Sequence, residues 1–261
     1  MAEQPASAAI EFLDVTYRTA EGRALLNRLN LRVMRGETLV LLGRSGSGKT
    51  TTLKLINGLL SHQEGDITID GKSIRDWDLI RLRRHIGYAI QDVGLFPHFT
   101  VERNMALVPR LEKWPPEKVR PRVDELLDLV GLPPSQFRHR YPHELSGGQR
   151  QRVGLGRALA SDPPILLMDE PFGALDPLTR ADIQREFKSL QQRLNKTVVF
   201  VTHDVREALL LATRIAVLNE GRLLGVYSPG AFLQSQEPVV CDYVNVLRSE
   251  TELFQNLENK P

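Results

Sequence analysis

Hydrophobic and polar positions along the chain mark out strands first and helices later. Ile10 to Tyr17 and Leu25 to Val33 read as strands of an antiparallel region, with Arg35-Gly36-Glu37 as a turn after them. Thr38 to Leu42 is an apolar run with the length of a buried strand, and it enters a glycine-rich loop. Thr50 to Leu60 then reads as a helix. The stretch GDITIDGK alternates apolar and polar residues before an Asp-Gly turn, and Ile86 to Ile90 is another apolar strand.

From Asp92 to Ser161 the pattern changes to helices, broken at Trp114-Pro115-Pro116 and Leu132-Pro133-Pro134. Val119 to Val130 carries apolar residues at helical spacing, and Arg150 to Ala160 reads as a further helix. Strand-like runs resume as ILLM and TVVFV, separated by a helix from about Leu178 to Leu194, the βαβ rhythm of a parallel sheet. The expected architecture is an α/β core interrupted by a helical subdomain. The expected division is residues 1–91 and 162–235 as the core, 92–161 as the helical insertion and 236–261 as a short tail.

Composition narrows the classes. Thirty-four basic against thirty-two acidic residues leave a net charge of +2, so no large electropositive field argues for nucleic acid. The single cysteine, Cys241, excludes an internal disulfide framework and fits a reducing compartment. The N-terminal stretch has neither the basic nor the apolar region of a signal peptide. No run approaches the roughly 20 apolar residues that span a bilayer, so a membrane role would come through a partner.

Two glycine-rich stretches carry the chemistry. GRSGSGKTT, residues 43 to 51, fits G-x-x-x-x-G-K-[ST] through Gly43, Gly48, Lys49 and Thr50, between a predicted strand and a predicted helix. Its glycines, Gly46 among them, let backbone N–H groups curl around phosphate oxygens, and the helix N-terminus adds favourable partial charge. Lys49 would reach the β- and γ-phosphates and the Thr50 hydroxyl would bind Mg²⁺; Ser45 and Thr51 belong to the same cradle. PILLMDEP places Asp169 and Glu170 at the C-terminal end of a buried strand, where open α/β sheets bind ligands. Neighbouring strand residues point to opposite sides, so Asp169 suits a magnesium contact and Glu170 could hold the attacking water. His203 and Gln91 end two further apolar strands at the same edge. The second glycine stretch, Leu145-Ser146-Gly147-Gly148-Gln149, opens a helix but has no lysine and no following Mg²⁺ ligand. It cannot be an independent nucleotide site, yet it could complete one.

With these motifs in order, the chain resembles the ATP-binding subunit of ABC transporters across almost its whole length: a P-loop NTPase core of mixed sheet with an antiparallel β region and an inserted α-helical subdomain. The resemblance implies an ATPase in which Glu170, His203 and Gln91 serve hydrolysis and Thr50, Gln91 and Asp169 contact Mg²⁺. It implies a Tyr17 ring on the adenine, and a D-loop at Ala174-Leu175-Asp176. It also implies a head-to-tail homodimer, the Ser146, Gly147, Gly148, Gln149 and Asp176 of one copy closing over ATP bound by the other. The stretches after Gln91 and around Ser146 resemble bacterial importers of osmoprotectant quaternary amines such as glycine betaine, choline or carnitine. That implies membrane permease subunits met near Phe96, Pro97 and His98, an extracytoplasmic solute-binding protein, and a position on the cytoplasmic face of the bacterial inner membrane. An importer of another small solute, such as an amino acid, or a soluble ABC ATPase without a permease would carry nearly the same motifs. Two departures stand out. The residues after the last predicted strand are fewer than a typical domain needs, so the paired regulatory CBS modules of many osmoprotectant relatives are not expected in this stretch. Gly154 and Gly156 lie inside the signature helix at about 1 kcal/mol each against alanine, so that helix is either loose or closely packed.

Overall fold

The computed structural model describes residues 7–90, 93–173, 175–194 and 196–258. From the N-terminus, β1 (Ala8–Arg18) and β2 (Ala24–Met34) precede β3 (Thr38–Leu42), α1 (Lys49–Ile56), β4 (Glu64–Ile69), β5 (Lys72–Ser73), α2 (Leu79–His85) and β6 (Ile86–Ala89). The helices α3 (Val101–Met105), α4 (Leu107–Leu111), α5 (Pro116–Leu129), α6 (Pro134–Phe137) and α7 (Gly147–Leu159) follow. The chain then returns to the sheet through β7 (Ile165–Asp169), α8 (Pro177–Leu194), β8 (Thr197–Thr202), α9 (Val205–Leu211), β9 (Arg214–Asn219) and β10 (Arg222–Tyr227), ending in α10 (Pro229–Leu233) and α11 (Pro238–Glu258).

The strands form two sheets. One is antiparallel, in the order β2-β1-β4-β5; the other runs β10-β9-β3-β8-β7-β6. Strands β9, β3, β8, β7 and β6 are mutually parallel and β10 is antiparallel to β9. All five residues of β3 and all six of β8 are buried, which explains their continuous apolar runs: both faces of a central parallel strand are covered. The pleat sorts the side chains into two cores. Val40, Leu42, Met168 and Phe200 face the helical layer, whereas Leu39, Leu41, Leu167 and Val201 face the antiparallel sheet and α1.

Several local details differ from the pattern read in the sequence. Helix α1 stops at Ile56 rather than Leu60, because Gly58 turns into the left-handed region at φ 66° and the Leu59 and Leu60 amides fold back to donate to the Lys54 carbonyl. Helix α5 starts at Pro116, three residues before the first apolar position of its stripe, since proline suits the first helical turn. The glycines of α7 mark close packing: a Cβ on Gly154 would stand 2.5 Å from Val93 Cγ1, and one on Gly156 would stand 2.4 Å from Met105 Cε. The stretch expected as a tail carries α11, whose Asp242 lies 3.7 Å from Arg44 in the glycine loop after β3.

Candidate functional site

The glycine loop after β3 is shaped by backbone that only glycine adopts easily. Gly46 has φ 80° and Gly48 φ 103°. A Cβ on Gly48 would meet Leu26 Cδ2 at 2.6 Å and the Leu25 carbonyl at 2.8 Å, so the loop is pressed against β2. Gly43 is buried, Ser45 and Gly46 are exposed at the tip, and Thr51 is half-buried in the first turn of α1. Tyr17, half-buried, is paired across β1 and β2 with Leu26, which brings it to the flank of the same loop.

Lys49 is 5% exposed, and its ammonium donates to the carbonyls of Gly43 at 2.7 Å and Arg44 at 2.9 Å. Burial holds its pKa below the usual lysine value, opposed by the charges of Glu170 and Asp169. Ser47 Oγ, inside the loop, is buried without a hydrogen-bond partner. An amine folded back on its own loop beside an unpaired buried hydroxyl is the polar lining that a polyphosphate fits.

Strand β7 delivers the carboxylates. Asp169 is 7% exposed and its Oδ1 accepts from the Thr50 hydroxyl at 3.0 Å; burial raises its pKa despite that bond. Tyr88, which the sequence reading passed over, donates to Asp169 Oδ2 at 3.5 Å from β6. Burial and the neighbouring Asp169 push that phenol upward. Thr50 Oγ1 and Asp169 Oδ1 are hard oxygen donors side by side, a pair suited to Mg²⁺.

Glu170 meets a different partner, and its backbone departs from the strand pattern. The strand ends at Asp169, and Glu170 takes a left-handed φ of 44° while its N–H still donates to the Val201 carbonyl at 3.0 Å. Its Oε2 lies 3.1 Å from His203 Nδ1, the exposed ring at the end of β8. Lys49, Thr50, Asp169, Glu170 and His203 therefore gather at one edge of the parallel sheet. Gln91 and Ala174 lie outside the described residues.

Ser146 and Gln149 close on one another instead. Ser146 Oγ accepts from the Gln149 N–H at 3.2 Å, and Gln149 Oε1 accepts from the Ser146 N–H at 2.9 Å, a capping box at the start of α7. Ser146 and Gly147 are exposed, Gly148 is buried against Thr179, and Gln151 donates to the Pro171 carbonyl, tying α7 to the loop after Glu170. Asp176 is exposed at the start of α8, where its carboxylate accepts from the Thr179 N–H at 3.0 Å. Hydrogen bonds from the Thr179 side chain and then from its N–H hold the carboxyl pKa low. A cavity of about 380 Å³ opens between His203, Arg44 and the Tyr243 face of α11.

A sequence profile described as ABC transporter matches residues 26–173, which span the glycine loop, the α7 cap and the Asp169-Glu170 pair. The chain belongs to the ABC transporter family. Among ABC relatives, the choline transport ATP-binding protein OpuBA of Bacillus subtilis is 51% identical over 226 residues, 87% of this chain and 58% of the relative. The osmoprotectant import ATP-binding protein OsmV of Salmonella typhimurium is 52% identical over 208 residues, 80% of this chain and 54% of the relative. The chain thus spans little more than half the length of these two relatives. The glycine betaine uptake system ATP-binding protein YehX of Escherichia coli is 50% identical over 84% of this chain and 71% of the relative. Among solved ABC structures, the cassette MJ0796 in a dimeric post-hydrolysis state bound to ADP and Pi superposes with a TM-score of 0.75 at 36% identity, covering 84% of this chain and 98% of that one. CbiO1 from Clostridium perfringens, part of the cbiONQ transporter complex, has a TM-score of 0.80 at 28% identity, covering 95% and 99%. The fold is that of the ABC ATPase. Among the described residues no helix is long and apolar enough to cross a membrane.

Proposed function

We propose that this chain is the ATP-binding and hydrolysing subunit of an ABC importer, coupling ATP hydrolysis to uptake of a quaternary-amine osmoprotectant such as glycine betaine, choline or carnitine. The observation that carries the ATPase reading is the assembly of Lys49, the Thr50–Asp169 pair and the Glu170–His203 pair at one sheet edge. The solute class rests on identities of about half to relatives named for choline transport, glycine betaine uptake and osmoprotectant import.

In this reading the Lys49 ammonium leaves its loop carbonyls for the β- and γ-phosphates, and the amides of residues 43–50 cradle the chain of phosphates. Thr50 and Asp169 hold Mg²⁺, with Gln91 as a third contact; the ion when bound neutralises charge on the phosphates. Glu170 accepts a hydrogen bond from the attacking water and aligns it, and His203 holds the Glu170 carboxylate from the far side. Tyr17 stacks on adenine. Ser146, Gly147, Gly148, Gln149 and Asp176 of a second copy complete the site, so two chains related by a two-fold axis enclose two nucleotides. Residues 1–91 and 162–235 act as the nucleotide-binding core and 92–161 as the helical subdomain that carries the signature. Permease subunits engage the cassette pair on the cytoplasmic face of the membrane, and an extracytoplasmic binding protein supplies the solute.

The test is reconstitution of the complex in liposomes with its binding protein, following labelled glycine betaine, choline and carnitine beside several amino acids. ATP-dependent uptake of an amine supports the reading. Uptake of an amino acid with none of the three amines rejects the solute class, and failure to associate with any permease rejects the importer.

A further inference from the structure

One buried carboxylate stands outside the reacting edge and touches both elements that frame it. Glu207, in α9, is 5% exposed. Its Oε2 accepts from the Thr202 hydroxyl at 2.6 Å, and its Oε1 accepts from Gln184 Nε2 of α8 at 2.9 Å. Thr202 is the last residue of β8, and its Oγ1 also accepts from the Asp204 N–H at 3.0 Å, so one hydroxyl spans the turn whose middle residue is His203. On the other side Arg180, attractive to Glu207, donates from Nη2 to the Leu175 carbonyl at 3.2 Å.

The contacts close into a circuit. Glu170 donates through its N–H to Val201 on β8 and accepts at its carbonyl from the Gly173 N–H at 3.1 Å, while its carboxylate meets His203. Asp176 stands at the start of α8, which carries Arg180 and Gln184 back to Glu207. An apolar side chain of equal volume would fill this place without the desolvation cost of a carboxylate, and it would satisfy neither Thr202 nor Gln184. The contribution of Glu207 is therefore geometric: it fixes the His203 turn against α8.

We propose that Glu207 is a positioning residue for ATP hydrolysis, holding the Thr202–Asp204 turn and α8 in one register so that His203 stays on Glu170. The inference rests on the ATPase reading above. Its test is a cycle of Glu207→Ala, His203→Ala and the double variant in the full chain, with steady-state kcat and KM for ATP and single-turnover hydrolysis for the slow variants. Glu207→Ala is expected to lower kcat about tenfold, as loss of alignment does, with KM within about twofold of wild type, because no nucleotide contact is removed. In the His203→Ala background it should change hydrolysis no further, since it acts through that ring. Glu207→Gln keeps one acceptor oxygen for Thr202 and offers its NH2 to a flipped Gln184 amide, so both contacts can re-form, and it should restore most of kcat. Where Glu207→Ala does not fold, Thr202→Val, which matches the shape and removes the hydroxyl, takes its place in the same cycle. An additive loss in the double variant, or a raised KM with kcat intact, overturns the proposal while leaving the site reading in place. Wild-type turnover by His203→Ala overturns the site reading and this inference together.

Discussion

The glycines of the signature helix give a prediction whose sign the packing decides. In an open helix, Gly154→Ala would stabilise the chain by about 1 kcal/mol through propensity alone. Here the new methyl would stand 2.5 Å from Val93 Cγ1, about 1 Å inside normal carbon contact. Val93 is β-branched and stiff at χ1, so relief must come from the backbone. That backbone is pinned, because Arg157 of α7 donates to the Val93 carbonyl at 2.5 Å and the Gly94 carbonyl at 2.7 Å. Overpacking of this kind costs about 1–3 kcal/mol, so the net effect at Gly154 is a loss of about 0–2 kcal/mol. At Gly156 the clash is with the terminal methyl of Met105, a flexible chain that rotates away. The same substitution there should be close to neutral. Urea unfolding of both variants, followed by circular dichroism, reads the two midpoints against wild type. A Gly154→Ala protein stabilised by about 1 kcal/mol would show a loose helix and refute the reasoning.

Three other outcomes follow from the site. Glu170→Gln should still bind ATP yet lose at least about a hundredfold in hydrolysis, and near-normal turnover by the purified variant would remove Glu170 from its role. Ser146→Arg should leave the nucleotide affinity of a single chain intact and block ATP-driven dimerisation, because in the proposed dimer the arginine would fill the space of the partner's γ-phosphate; light scattering with ATP in a Glu170→Gln background measures it. The third outcome concerns pH. Burial raises the pKa of Glu207, with Asp204 adding to the rise and Thr202, Arg180 and Gln184 opposing it. Between the ordinary carboxylate pKa and the raised folded value the native state holds the extra proton, so its stability falls as pH climbs through that window. Glu207→Gln lacks this loss, and its stability advantage over wild type should grow across the same interval; a difference that stays flat with pH contradicts the burial argument.

The glycine loop between β3 and α1 was legible in the chain because its grammar is local. A buried strand, glycines at fixed offsets, a lysine and a helix start lie within fifteen residues, Thr38 to Thr52, and each is set by backbone sterics that act at short range. Asp169 and His203 were legible for a related reason: apolar runs of strand length must be buried, and polar residues that end them must surface at the sheet edge. Tertiary structure decided what periodicity does not encode. Asp169 meets Thr50 and Glu170 meets His203 across a left-handed residue that follows the strand, a backbone turn that the strand's alternation does not contain. Whether Gly154 and Gly156 meant looseness or contact depended on Val93 and Met105, which lie 61 and 51 positions earlier in the chain and meet them only when the chain packs. The approach of α11 to Arg44, and the link from Thr202 through Glu207 to Gln184, join segments whose side chains look ordinary in isolation. Local patterns record which face of an element is apolar, whereas a buried carboxylate's partners are chosen by three elements meeting in space, and only the packed chain brings them together.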